Sequence, residues 1–124
     1  MPILSTGPLE NNPVNGVRPT QQVTVRVDNR SAGLASEVSI RGYYLNNGTR
    51  VLYINEFLQI AAEQVITKNY FASFDAFEFV FLTEDIDEGG DPVQISVWGK
   101  DASGQLVPAH RLVSAELVFN EIFE

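Results

Sequence analysis

The chain predicts an all-β fold: a single β-sandwich, jelly-roll-like, of seven to eight antiparallel strands behind an extended N-terminal arm. Three observations carry that expectation. From Thr20 onward, apolar and polar residues alternate with period two. Clusters of Gly, Asn, Asp, Ser and Pro punctuate the alternation about every 8–12 residues, the rhythm of a sandwich. The opening stretch "MPILSTGPLENNPVNGVRPTQ" breaks the pattern, with four of the six prolines of the chain. Its 124 residues suit one domain, divided as a connector arm and spacer over 1–20 and the sandwich over 21–124.

The elements follow in order. "QVTVRVDN" sets Val23, Val25 and Val27 on one face with Thr24 and Arg26 on the other, a half-buried strand. "SEVSIRGYYL" repeats this with Val38, Ile40 and Tyr44 inward and Gly42 at a bulge. "NNGT" places Asn-Gly between two apolar runs, a hairpin signal, and "RVLYINEFLQI" is the return strand. "EQVITKNYFASF" and "FEFVFLT" are the next two strands, the second lining up Phe77, Phe79 and Phe81. "VQISVWG" is another, between the turns "EGGDP" and "DASGQ". "HRLVSAELVFNEI" fits helix and strand periodicities equally; its all-β context favours a strand.

Charge and composition exclude several classes. A net charge of −8 argues against nucleic acid or an anionic membrane as partner. The charge is uneven: residues 1–60 carry five arginines against four acids, and residues 61–124 three bases against twelve acids. With no cysteine there is no disulfide, thiolate zinc site or cysteine nucleophile. No run reaches the ~18 apolar residues of a membrane-spanning helix, and no charged-then-apolar leader is seen.

Catalytic chemistry finds little support, and the expectation is a non-enzyme without cofactor or resident metal. The single histidine, His110, stands near no nucleophile-elbow motif. "TEDIDEGGD" resembles half of a calcium loop but lacks its later ligands, since position twelve is Ser96. Glu84, Asp85, Asp87, Glu88 and Asp91 are therefore read as an acidic contact or weak calcium site. Trp98, Tyr43, Tyr44, Tyr53 and Tyr70 suggest a sugar-stacking platform, although core packing accounts for most of them. "NRS" and "NGT" match the glycosylation sequon in turns, where asparagine is expected anyway.

The arm is left to explain. An extended peptide can complete an open sheet by strand addition. Ile3, Leu4 and Leu9 would anchor it, and the following stretch with Pro13, Gly16 and Pro19 would be a spacer. Twelve extended residues reach about 40 Å, beyond a domain of this size. A head-to-tail contact of this kind closes into rings or continues into filaments.

A Pro- and Asn-containing connector leading into "QQVTVRVDNRS" resembles the endospore appendage pilins of Bacillus and related spore formers. That resemblance implies jelly-roll subunits stacked into fibres on the spore surface (exosporium or coat), each threading its connector into a preceding copy. The partner would be the protein itself in a helical homopolymer, with an anchoring or tip protein besides. Well-known appendage subunits are stapled by cysteines; this chain has none, so its fibre would be held by strand addition and burial alone. The alternative is a carbohydrate- or receptor-binding jelly-roll module of a surface or phage fibre.

Overall fold

The computed structural model describes residues 3–83, 93–113 and 118–120. Its strands are β1 (Ile3–Ser5), β2 (Leu9–Glu10), β3 (Gln22–Asn29), β4 (Ser36–Asn46), β5 (Thr49–Ile60), β6 (Val65–Phe71), β7 (Ala76–Thr83), β8 (Val93–Lys100), β9 (Leu106–Val113) and β10 (Val118–Asn120). They form two antiparallel sheets. One has the order β10-β1-β7-β4-β5, with β2 also paired to β7; the other has the order β6-β3-β8-β9. The fold is an all-β sandwich, as the period-two pattern implies.

Alternation builds the core. Val23, Val25 and Val27 of β3, with Val93, Ile95 and Val97 of β8, meet Val38 and Ile40 of β4 and the three phenylalanines of β7. Phe77, Phe79 and Phe81 are each fully buried. The β4–β5 hairpin turns through Asn47 (φ 53°) and Gly48 (φ 79°), the left-handed pair that a two-residue hairpin needs. The bulge falls between Gly42 and Tyr43. A Cβ on Gly42 would stand 2.8 Å from Ile54 Cδ1, so the missing side chain leaves Ile54 its place.

Among the described residues ten strands stand where seven or eight are expected. Two of the additional ones, β1 and β2, come from the stretch read as an arm, and they pair within the first sheet of their own chain. The third arises because the final segment divides into β9 and β10.

The outer strands β5 and β6 meet along one side of the sandwich. Glu56 of β5 accepts a hydrogen bond from Tyr70 Oη at 2.7 Å and an ion pair from Lys68 at 3.1 Å. Inward-pointing charges on edge strands discourage pairing with another chain, so this side is guarded.

Candidate functional site

The N-terminal segment has a built seat. β1 lies between β7 and β10, with Ile3 opposite Leu82 and Asn120, Leu4 opposite Phe81 and Phe119, and Ser5 opposite Val80 and Val118. β2 sets Leu9 opposite Phe77 and Glu10 opposite Ala76. Leu4 and Leu9 pack on the core, while Ile3 is placed by its register alone. Between the two strands Gly7 adopts φ 67°, a left-handed corner that favours glycine.

Polar groups fix the register. Ser5 Oγ donates to Glu78 Oε2 at 2.8 Å, and Arg50 Nε donates to Glu78 Oε1 at 2.7 Å. Glu78 is only 3 % exposed, so its carboxyl oxygens meet these partners rather than water. Thr6 N donates to Phe79 O and Phe79 N to Thr6 Oγ1, both at 3.0 Å, so the Thr6 side chain continues the ladder past Ser5.

The spacer is folded rather than extended. Asn11 Nδ2 donates to the carbonyls of Thr20 (2.7 Å), Ala72 (3.1 Å) and Phe74 (3.0 Å), and Asn11 Oδ1 accepts from Thr20 N at 2.9 Å. One buried amide thereby pairs with Thr20 as a strand would and closes the base of the loop. Beyond it, Val14 and Val17 exchange backbone hydrogen bonds across Asn15 (φ 53°) and Gly16 (φ 81°), a second tight turn. Pro13 and Pro19 flank that turn, and both valines are exposed. Arg18 pairs with Asp75 at 2.7 Å on the surface.

His110 is part of this seat. β9 pairs Arg111 with Trp98 and then Val107 with Gly99, so Pro108, Ala109 and His110 bulge out of register. His110 Nε2 lies 2.8 Å from the carbonyl of Glu10. A carbonyl only accepts, so Nε2 carries a proton and donates to it, while Nδ1 pairs with the Thr20 hydroxyl. The ring also meets Phe77 edge-on at 5.5 Å. On Gly99 a Cβ would lie 2.6 Å from Thr20 Oγ1 and 2.7 Å from His110 Cβ; the close approach requires glycine.

Of the sequence-derived site residues, Leu4 and Leu9 thus share one seat, and Pro13, Gly16 and Pro19 share the loop above it. Glu84, Asp85, Asp87, Glu88 and Asp91 lie outside the described residues. The five aromatics do not form one platform. Tyr44 stacks on Phe74 at 4.6 Å with Tyr53 edge-on at 5.0 Å, and Tyr70 packs on Phe79 at 5.7 Å. Trp98 lies against Arg111 at 5.0 Å and Tyr43 against Arg50 at 5.9 Å. Asn29 of the first sequon is buried, donating to the carbonyls of Leu34, Ile60 and Ala61.

Sequence reasoning missed Asn11, Thr20, Glu78 and Gly99. An asparagine among prolines and glycines looks like any turn former, and nothing nearby announces carbonyls arriving from 61 and 63 residues away. The chemistry assembled here is adhesive: strand pairing, apolar anchors, an ion pair between exposed Arg50 and buried Glu78, and an amide clasp. Comparison with models of known protein families, with curated proteins and with solved structures finds no match in any of the three.

Proposed function

We propose that the protein is a non-enzymatic structural subunit that self-assembles head to tail into extracellular fibres, its N-terminal segment crossing into a neighbouring copy as a donated strand. The observation that carries this reading is the position of β1. It is an inner strand, between β7 and β10, yet its covalent connection to the body runs through the loop closed by Asn11 and Thr20.

Every contact the segment makes at home is available in an identical neighbour, so exchange conserves strand pairing and burial. Its equilibrium is set by the loop and by concentration. A tethered segment sees its own seat at an effective concentration on the order of mM, which favours the closed chain in dilute solution. Reciprocal exchange gives a dimer; one-directional exchange gives an open chain of subunits. A bacterial spore surface is the setting that the appendage resemblance implies, and a cysteine-free chain would build a fibre without covalent staples.

The test locks the segment at home. Ile3 and Leu82 are register partners and the chain has no other cysteine, so Ile3→Cys with Leu82→Cys can form a disulfide that removes no strand. Negative-stain electron microscopy of the concentrated protein is expected to show fibres when reduced and globular particles when oxidised. Particles in both states, or fibres in the oxidised state, contradict the proposal.

A further inference from the structure

The outer face of the second sheet carries a charge opposite to that of the whole molecule. In a chain of net charge −8, the strands β3, β6, β8 and β9 contain one carboxylate, Asp28, which is bound to Arg30 at 3.0 Å. On the same face stand Arg26, Trp98, Lys100 and Arg111. None of the three cations has a carboxylate partner among the described residues; Arg111 lies over the Trp98 ring, its centroid distance 5.0 Å. Lys68 of β6 is spoken for by Glu56.

The face is also grooved. A hollow of about 240 Å³ is lined by Thr24, Arg26, Trp98, Lys100 and Leu106. A second of about 270 Å³ shares Arg26 and continues past Ser96 and Gln94 to Arg30 and the Asp28 that Arg30 pairs with. The two together run across β3 and β8 from Leu106 to Arg30. The groove thus combines a half-buried indole, cations on either side of it, and the side-chain amide and hydroxyl of Gln94 and Ser96.

We infer that this groove binds an acidic polysaccharide, one whose sugar units carry carboxylates. The indole offers a flat apolar surface to the C–H face of a sugar ring. Arg26 and Lys100 meet the carboxylates with charge-assisted hydrogen bonds, and Arg111 holds the indole in place while adding to the local positive potential. Gln94 and Ser96 suit the hydroxyls of the next unit. The net charge of the protein is negative, so attraction for a polyanion must come from the cations of the groove itself rather than from bulk charge. This site is independent of how the N-terminal segment is exchanged.

Trp98 is the single tryptophan, so its emission reports on this groove alone. The full chain is titrated with polygalacturonate, with neutral dextran and inorganic polyphosphate as controls. The expected result is a saturable emission change with polygalacturonate and none with dextran. Arg26→Gln and Lys100→Gln should each weaken it about tenfold, the loss of one charge-assisted contact. Arg41→Gln, on β4 of the other sheet, should leave it unchanged. An absent response, an equal response to polyphosphate, or equal weakening by Arg41→Gln overturns the inference. So does an emission change driven by protein concentration alone, which would assign the face to a contact between copies.

Discussion

Replacing Asn11 by alanine removes the clasp at the base of the loop, and its cost can be counted from the bonds it makes. Asn11 is 1 % exposed and Thr20 is fully buried, so water does not stand by to replace lost partners. Thr20 N loses its acceptor, and the carbonyls of Thr20 and Phe74 lose a donor. The Ala72 carbonyl still accepts from Phe74 N at 2.8 Å. Each orphaned buried group costs about 1–3 kcal/mol, and a water entering the vacated space offsets part of the total, leaving about 3 kcal/mol. Against a domain stability of about 5–15 kcal/mol that is a large fraction. Equilibrium urea unfolding at low protein concentration, followed by Trp98 emission, should show the midpoint falling by about 1.5 M for a slope of about 2 kcal/mol/M. Asn11→Asp should cost at least as much at neutral pH, because it turns a carboxylate toward three carbonyls. In acid it should regain part of the loss, since a protonated carboxyl can donate one bond. A midpoint unchanged in either variant would refute the reasoning that this amide holds the loop closed.

Three further outcomes follow from neighbouring groups. Arg50→Ala removes the guanidinium from the buried Glu78 carboxyl, leaving Ser5 as its side-chain partner among the described residues, and should destabilise by about 2 kcal/mol, more than Glu78→Gln, in the same urea assay. Gly99→Ala forces a Cβ against Thr20 and His110 and should cost about 1–3 kcal/mol, whereas Gly33→Ala, with nothing within 4 Å, should be near neutral in thermal unfolding. Glu56 titrates below its ordinary 4.5, chiefly because Tyr70 donates to it, against a smaller desolvation cost and with Lys68 assisting. A carboxyl lowered in the folded state stabilises above its unfolded pKa, and that contribution is lost as pH falls through the folded value. Glu56→Gln should therefore flatten the acid limb of the stability-versus-pH curve below 4.5, and an unaltered limb would show the Tyr70–Glu56–Lys68 contact to be idle.

The strands were legible where one local signal decides them. Val23, Val25 and Val27 alternate because one face meets the core, and Asn47-Gly48 turns because both residues must take positive φ. The partner of the opening segment was not legible. Ile3-Leu4 and Leu9 read as anchors from their hydrophobicity, but a strand three residues long carries no information about which β7, its own or a neighbour's, completes the pair. Nor could the spacer be read as a closed loop, since its closure depends on Asn11 meeting carbonyls that the fold brings from Ala72 and Phe74. His110 lay within reach of its reading as a structural residue. Its target, the Glu10 carbonyl 100 residues away, depends on the bulge at Pro108–His110. The cationic groove escaped for a related reason: Arg26 and Arg30 lie among the early residues and Trp98, Lys100 and Arg111 among the late ones, so a tally along the chain hides a face that the sheet assembles.

The central claim is that β1 of one copy can occupy the seat of another. Two separately purified chains, Ile3→Cys and Leu82→Cys, distinguished by tags of different size, are mixed at high concentration and then oxidised. Strand donation predicts a disulfide-linked pair containing one chain of each kind, because each substituted position meets its partner only across copies. Oxidation that yields no mixed pair, while the doubly substituted chain closes its own disulfide, would show that the N-terminal strand stays at home and would contradict the account.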